Sequence, residues 1–349
     1  MKPKLIVLTP VKNEASILDR FLSVTSFFAD HILIADQLST DESRQICSKY
    51  NKVTLIQNSS HNYCEAERQI LLISTARKLW PGHKILLGLD ADEVLAANAI
   101  HTEDWQSMLS AAPGTILLLE RPDLLPGLET WVRCPSNPKP LGFVDDGVAE
   151  HNPSQIHSPR VPQPENAKRL VLPDIKVLHY GPARMRLQLA KSRFYSVQEN
   201  LKKTNPLRRR RKWYGYMVKK YYRTSAIESD KIPQEWFAGW ESKGIDMRAL
   251  PNDNLNSHEV EVLRAFAKHG EQRFWLEPIW DINWNELRHY ATGIDGIPVK
   301  EIKTPPFYYI SIAFAVDVII YIIDLVLWAK SFWKKSLHSC LAPATSSLI

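Results

Sequence analysis

Lys84-Ile85-Leu86-Leu87-Gly88-Leu89-Asp90-Ala91-Asp92-Glu93 is an apolar run that stops in three carboxylates within four residues. A short continuous apolar segment is what a strand covered on both faces of a sheet requires, so the run reads as a buried strand with its acids at the carboxyl end. Side chains alternate in an extended chain, which points Asp90 and Asp92 the same way with Ala91 leaving room between them. Two oxygen donors at one strand end suit a hard divalent cation, Mg2+ or Mn2+, which commonly completes its shell with substrate phosphates. The structural alternative is that an Asp here caps a helix starting after Glu93.

Upstream of this run the chain alternates strand and helix. Leu5 to Thr9 is a short apolar strand, followed by the turn Pro10-Val11-Lys12-Asn13-Glu14. Ala15 to Phe28 carries Ile17, Leu18, Phe21, Leu22 and Val24 at helical spacing. His31 to Ala35 is a second strand ending in Asp36, and Ser39-Thr40-Asp41-Glu42 opens a second helix. Val53 to Ile56 is a third strand, and Glu65 to Leu79 a third helix with Arg68 near its start. Such alternation implies right-handed crossovers and a mostly parallel sheet with helices on its faces, in which ligands collect at the carboxyl ends of the strands. Thr9, Asp36 and Asp92 all fall there. No G-x-G-x-x-G follows the first strand and no G-x-x-x-x-G-K-[ST] occurs, which argues against a dinucleotide dehydrogenase and a P-loop NTPase.

Three stretches in order, Leu5-Ile-Val-Leu-Thr-Pro-Val-Lys-Asn-Glu14, Ile34-Ala-Asp-Gln-Leu-Ser-Thr-Asp-Glu-Ser43 and Leu89-Asp-Ala-Asp-Glu93, resemble the successive signatures of family 2 glycosyltransferases of GT-A fold, with bacterial cell-envelope enzymes the nearest in flavour. The resemblance covers about the first 100 residues strongly and weakens towards residue 180. It implies an α/β nucleotide-diphospho-sugar transferase, inverting, using Mn2+ or Mg2+ and a nucleotide sugar, a UDP-sugar first among them. It gives Thr9, Pro10 and Asp36 to the nucleotide base with Glu14 nearby, Arg68 to the base or diphosphate, Asp90 to the ribose and metal shell, and Asp92 to the metal. The family pattern has Asp and Gly after the first Asp of the second motif, whereas this chain has Gln37 and Leu38. That departure bears on nucleotide identity.

Thr115 to Glu120 reads as a further strand, after which residues 122–165 hold nine prolines, too many for long regular elements. This reads as a folded-over acceptor region containing Phe143-Val-Asp-Asp-Gly-Val-Ala-Glu-His151. An inverting enzyme needs one carboxylate to take the acceptor proton. Envelope enzymes similar to this chain carry a His-Glu pair here, which this sequence has in the reverse order as Glu150-His151; Glu150 is the first choice and Asp146 the second, against the alternative that both are surface acids. Ile175 to His179 looks like the domain's last strand, followed by Tyr180-Gly181-Pro182. The resemblance offers His179 as a further metal ligand, and imidazole favours Mn2+ over Mg2+; a structural histidine is the alternative.

The chain of 349 residues carries a net charge of +6, but ten Lys or Arg and no acid lie between Leu201 and Arg223, so the remainder is net −4. These cations interleave with aromatics, a pattern that suits nucleic acid or an anionic membrane, and the catalytic context favours the membrane. Cys47, Cys64, Cys134 and Cys340 make no C-x-x-C pair, which argues against a zinc site or disulfide framework and fits a reducing cytoplasm. Only four strongly apolar residues precede Thr9-Pro10, too few for a signal-peptide core, so the bulk of the chain is expected in the cytoplasm, at the inner face of the membrane.

Phe307 to Ala329 is 23 residues long with Asp317 and Asp324 as its charges. Its thirteen Leu, Ile, Val and Phe residues favour insertion by about 4–8 kcal/mol and the two acids oppose it by about 5–7 kcal/mol. The acids are seven apart, on one helical face, so the expected element is interfacial, re-entrant or an oligomer contact more than a simple span. The expected organisation is a catalytic domain over 1–182 with a donor half to 95, a helical basic and aromatic appendage over 183–304, an apolar helix over 305–335 and a tail over 336–349. The expected reaction is transfer of a sugar to a hydroxyl of an envelope glycolipid or polysaccharide. A sugar nucleotidyltransferase and a membrane-docked binding protein are the alternatives; the first lacks its Gly- and Arg-rich loop, the second leaves three motifs unexplained, as does nucleic-acid binding.

Overall fold

The computed structural model describes residues 2–59, 64–134, 136–152, 158–217, 229–250 and 255–340. Contacts divide the chain into two units, the first Met1–Gln188 with Ser225–Asp253, the second Leu189–Thr224 with Asn254–Ile349.

The first unit is a mixed α/β layer structure. Its elements run β1 (Lys4–Val11), α1 (Ala15–Phe28), β2 (His31–Asp36), α2 (Ser43–Ser48), β3 (Val53–Gln57), α3 (Glu65–Leu79), β4 (Lys84–Gly88), β5 (Glu93–Leu95), α4 (Glu103–Leu109), β6 (Ile116–Glu120), β7 (Pro122–Leu124), β8 (Thr130–Arg133), β9 (Lys139–Asp145), β10 (Arg169–His179) and β11 (Asp230–Lys231). The sheet order is β11-β8-β7-β10-β6-β9-β4-β1-β2-β3, with β5 added against β10. Neighbours among β3, β2, β1 and β4 are parallel, as are β6 and β7 with β10, so the expected parallel α/β sheet is present. Strand β9 runs antiparallel between β4 and β6.

Alternation explains why the strands read as continuous apolar runs. Ile6, Leu8, Leu33 and Leu86 face Leu72, Ile73 and Ala76 of α3. Leu5, Val7, Ile32, Ile34, Ile85 and Leu87 belong to the cluster containing Ile17, Leu18, Phe21 and Leu22 of α1. Each fully buried Leu or Ile contributes roughly 1.5–3 kcal/mol, so both faces of these strands had to be apolar.

The expected boundary at 182 is corrected. Residues 225–253 return to the first unit instead of joining the appendage. The Trp240 indole Nε1 donates to the Leu95 carbonyl (2.7 Å), and Ala97 N donates to the Trp236 carbonyl (2.9 Å). Tyr180 is fully buried and donates its hydroxyl to the Met247 carbonyl (2.9 Å). Arg20 stacks over the Tyr180 ring at 4.7 Å and donates to the carbonyls of Asp246 and Ala249. Burial pushes the Tyr180 hydroxyl pKa up against the opposing pull of Arg20, so the phenol stays a neutral donor.

The second unit is helical, with helices Ser257–His269, Trp284–Tyr290 and Phe307–Cys340, most of Met185–Lys202, and Leu207–Arg210 running on into a π-helical segment, Arg211–Met217. Asn256 and Glu259 form a reciprocal capping box at the start of Ser257–His269. Glu277 is buried and accepts from Ser196, Asn200 and both Nε and Nη2 of Arg210. Lys219 to Arg223 and residues 341–349 of the expected tail lie outside the described residues.

Candidate active site

The acids after β4 do not obey strand alternation, because the strand ends at Gly88 and the chain turns: Glu93 N donates to the Asp90 carbonyl at 2.9 Å. The turn separates the two aspartates, which were expected to share one direction. Asp90 is held by Arg160, and Asp92 faces His179. Gly88 is required where it stands, since a Cβ there would come within 2.7 Å of the Arg160 Cβ. The close approach of residue 160 to the strand end therefore depends on a residue without a side chain.

Three strands bring His179 to Asp92. In β10, His179 is paired with Glu93 of β5 on one side and with Asp123 of β7 on the other, and Tyr180 N donates to the Asp92 carbonyl at 2.8 Å. His179 Nδ1 lies 2.6 Å from Asp123 Oδ1. A carboxylate accepts only, so Nδ1 carries the proton and Nε2 keeps its lone pair. That Nε2 lies 3.9 Å from Asp92 Oδ2. A histidine oriented through its other nitrogen by a carboxylate is the usual support of a metal-ligating imidazole. Asp92 and His179 thus fit a divalent cation as two donors. Among the described residues no group of three or more His, Cys, Asp or Glu forms a metal cage, so water and phosphate oxygens would supply the rest. Asp123→Asn, which removes the preference for this tautomer, is expected to weaken Mn2+ affinity by about 10–100-fold. Titration calorimetry with Mn2+ in the presence of UDP, beside the metal-free melting temperature, checks this; unchanged affinity counts against the orienting role.

Sequence reading missed the cationic part of the site. Glu93 is fully buried and accepts from Arg160 and from Arg121 Nη1 (3.0 Å). Arg160 spans Glu93 and Asp90, and Arg121 also lies 3.7 Å from Asp123. Burial alone would raise the Glu93 carboxyl, but the guanidiniums of Arg160 and Arg121 hold it well below the usual carboxylate range. The same acids outweigh the burial of Arg160 and keep it charged. The signal for Arg160 was unavailable from spacing, because it comes from the proline-rich stretch 67 residues beyond Glu93. Half-buried Lys139, at the first residue of β9, is destabilised as an ammonium by burial and then by Arg121, which marks this flank as rich in positive charge.

Beside these residues lie the two loops that follow β1 and β2, where the motif resemblance expects the nucleotide. Ser39 Oγ accepts from Asn13 N, Asn13 Oδ1 from Thr40 N, Ser43 Oγ from Glu14 N, and Asp41 Oδ2 from Ala15 N. The hydroxyl-rich motif is thus a clamp on the first loop, and α2 begins only at Ser43. Leu38 has φ 55°, a left-handed position that suits the Gly of the family pattern and costs a Leu roughly 1 kcal/mol. Thr9 and Asp36 are both buried, and among the described residues Thr9 Oγ1 and Asp36 Oδ1 have no hydrogen-bond partner, while Asp36 Oδ2 accepts from Arg44 (3.1 Å). Pro10 lies beside them at the end of β1. Glu14 accepts from Arg184 at 3.0 Å, just beyond His179, which fixes the first loop to the end of β10. Arg68 sits near the start of α3, the helix end towards which β3 leads.

The expected base residues do not join this group. Strand β9 pairs Asp145 with Lys84, the first residue of β4, so Asp146 lies roughly 13 Å of strand away from Gly88, at the wrong end of the sheet. Asp146 accepts from Val148 N and Ala149 N and closes a turn, while Asp145 holds Arg77 and Lys84. Glu150 is exposed between Ala149, whose carbonyl accepts from Arg77 late in α3, and His151, whose Nε2 lies against the Pro159 carbonyl. Among the described residues no contact joins it to Asp90, Asp92 or His179. Asp146→Asn and Glu150→Gln are therefore expected to retain turnover within about threefold, and a loss of a hundredfold or more in either would restore it as the base.

No protein-family model matches the chain, and no curated protein matches it. Among solved structures it is similar to GalNAc-T7 crystallised with UDP, GalNAc and Mn2+, at 13% identity over 63% of this chain and 58% of that one with a TM-score of 0.39. It is similar to TarS 1–349 of S. aureus, at 14% identity over 85% and 97% of the two chains with a TM-score of 0.36. It is also similar to 4-diphosphocytidyl-2C-methyl-D-erythritol synthase, at 16% identity over 41% and 74% with a TM-score of 0.30. At such identities and TM-scores these likenesses support no step of the chemistry.

Proposed function

We propose that the chain is an inverting glycosyltransferase that moves a sugar from a nucleotide diphosphate, a UDP-sugar first among them, to a hydroxyl of a cell-envelope glycolipid or polysaccharide. The observation that carries the reading is the gathering, at the carboxyl ends of β1, β2, β4 and β10, of two unpartnered buried oxygens at Thr9 and Asp36 with Asp92 and an Asp123-oriented His179. The oxygens of Thr9 and Asp36 would receive a nucleobase, for a buried polar group without a partner is costly unless a ligand satisfies it. Asp92 and His179 would hold Mn2+ or Mg2+, which when bound supplies charge to offset that of the departing diphosphate.

The acceptor oxygen attacks the anomeric carbon from the face opposite the nucleotide and gives up its proton to solvent, while the bond from that carbon to the diphosphate oxygen breaks and its electron pair leaves with the nucleoside diphosphate. Arg160, held against Asp90 and backed by Arg121 across Glu93, presents a guanidinium to that oxygen. Inversion and the envelope acceptor rest on the family 2 resemblance. Location at the inner face of the cytoplasmic membrane is supported by the dispersed cysteines and the apolar C-terminal helix.

The experiment is a panel of nucleotide sugars with Mn2+, read as nucleoside diphosphate released. Release from one donor, raised by membrane glycolipid extract, is the expected result. Pyrophosphate formed from a nucleoside triphosphate and a sugar phosphate would replace the reading with nucleotidyl transfer.

A further inference from the structure

The C-terminal helix of the second unit offers an unusual surface. Phe307–Leu327 is long and apolar enough to cross a membrane, yet only 11% of its most apolar window is buried. Ala313, Asp317, Ile320 and Asp324 form the stripe that faces the rest of the unit, at helical spacing, with Ala313 and Ile320 buried. Around the remaining circumference Phe307, Phe314, Ile319, Ile322 and Leu325 are all exposed, Phe307 by 82% and Phe314 by 67%. So large a contiguous apolar face on a water-exposed element marks a contact surface.

The two acids, which opposed insertion in the sequence, are both neutralised within the unit. Arg211 binds Asp317 through both oxygens, at 2.8 and 2.7 Å, and Lys212 binds Asp324 at 2.5 Å. These are adjacent residues of the basic segment, so that segment is pinned along the helix. Arg208, Arg209 and half-exposed Trp213 lie within a turn of them and remain exposed. The helix therefore has an apolar outer face, and the exposed Arg208, Arg209 and Trp213 are sequence neighbours of the two residues that pin the basic segment to it.

We infer that this helix seats the second unit in an anionic lipid bilayer, lying along the membrane, with Arg211 and Lys212 as counter-charges that keep Asp317 and Asp324 compatible with it. Charge selects lipid over a second copy of the chain. Anionic headgroups complement Arg208 and Arg209, whereas two-fold pairing of this face would bring like charges together. The helix is flanked by its own unit from Ala313 to Asp324, so it lies in the interface with protein on one side. Its polar side is the ion-paired basic segment.

This deepens the membrane location proposed above and is independent of the reaction; UDP binding measured on the same preparations tells a failure of one from a failure of the other. The test is flotation of the full chain with phosphatidylglycerol-containing vesicles. Wild type is expected to float, less so with phosphatidylcholine alone. Phe314→Ser with Ile322→Ser, both on the exposed face and so neutral for folding, is expected to lower the partition by about tenfold. Arg211→Gln is expected to lower it about tenfold by leaving Asp317 without its counter-charge, and adding Asp317→Asn to restore it within about twofold. Melting without vesicles checks the fold of each variant. Wild type that stays unbound and monomeric overturns the proposal, as does a lipid-free dimer abolished by Ile322→Ser; failure of Asp317→Asn to rescue overturns the counter-charge role.

Discussion

Asp92→Ala is expected to lower sugar transfer by about a hundredfold or more, with the fold intact. Asp92 is half-buried at a turn whose shape is set by backbone bonds, Glu93 N to the Asp90 carbonyl and Tyr180 N to the Asp92 carbonyl, neither of which uses its side chain. Removing the carboxylate leaves His179 Nε2 as the chain's single donor of the pair, too few to hold a divalent cation against water. Turnover with the best donor, at saturating Mn2+, reads the loss. Activity within a few-fold of wild type, in protein with the wild-type melting temperature, would remove Asp92 from the chemistry.

Glu93→Gln is expected to act on stability instead, by about 3–5 kcal/mol at neutral pH, because it leaves the largely buried Arg160 and Arg121 without the charge they share. The pH dependence follows from the sign of the shift. The folded Glu93 carboxyl is held below its ordinary value of 4.5, so its contribution is fully present above that value and is lost as pH falls towards the folded value. Urea unfolding of wild type and variant should therefore show a gap that is widest at neutral pH and narrows below about pH 4.5. A gap that is absent at pH 7, or that widens in acid, contradicts the pairing.

The stretch from β1 to β4 was legible because its physics is local. Each strand from β1 to β4 is a short apolar run, α1 buries Ile17, Leu18, Phe21, Leu22 and Val24 at the 3.6-residue spacing, and α3 falls on the expected Glu65–Leu79. The motif residues gather because parallel strands deliver their carboxyl ends to one edge. Strand β9 was hidden by Pro138 and Pro140 at its start, although it pairs in mid-sheet once past them. Its antiparallel direction is also what carried Asp146 to the far end. The period-2 argument failed for Asp90 and Asp92 since the strand had already ended at Gly88.

The supporting residues of the site were illegible for a different reason. Asp123 meets His179 across 56 positions, and Arg160 meets Asp90 across 70. Such pairs are fixed by strand register and by a close approach at Gly88, neither of which a window of neighbouring residues contains. The acids at 317 and 324 were visible as a shared helical face, whereas their partners at 211 and 212 depend on packing within the second unit. The return of residues 225–253 to the first unit rests likewise on single buried bonds from Trp240 and Tyr180.

The central claim is that Thr9, Asp36, Asp92 and His179 form one metal-assisted nucleotide site, and the most direct test is the melting temperature of wild type and Asp92→Asn with UDP, in the presence and absence of Mn2+. A ligand that binds only the folded chain must raise that temperature. The account predicts a rise for wild type that requires both UDP and Mn2+ and is lost in Asp92→Asn. No rise with UDP and Mn2+, or an equal rise in Asp92→Asn, would contradict it.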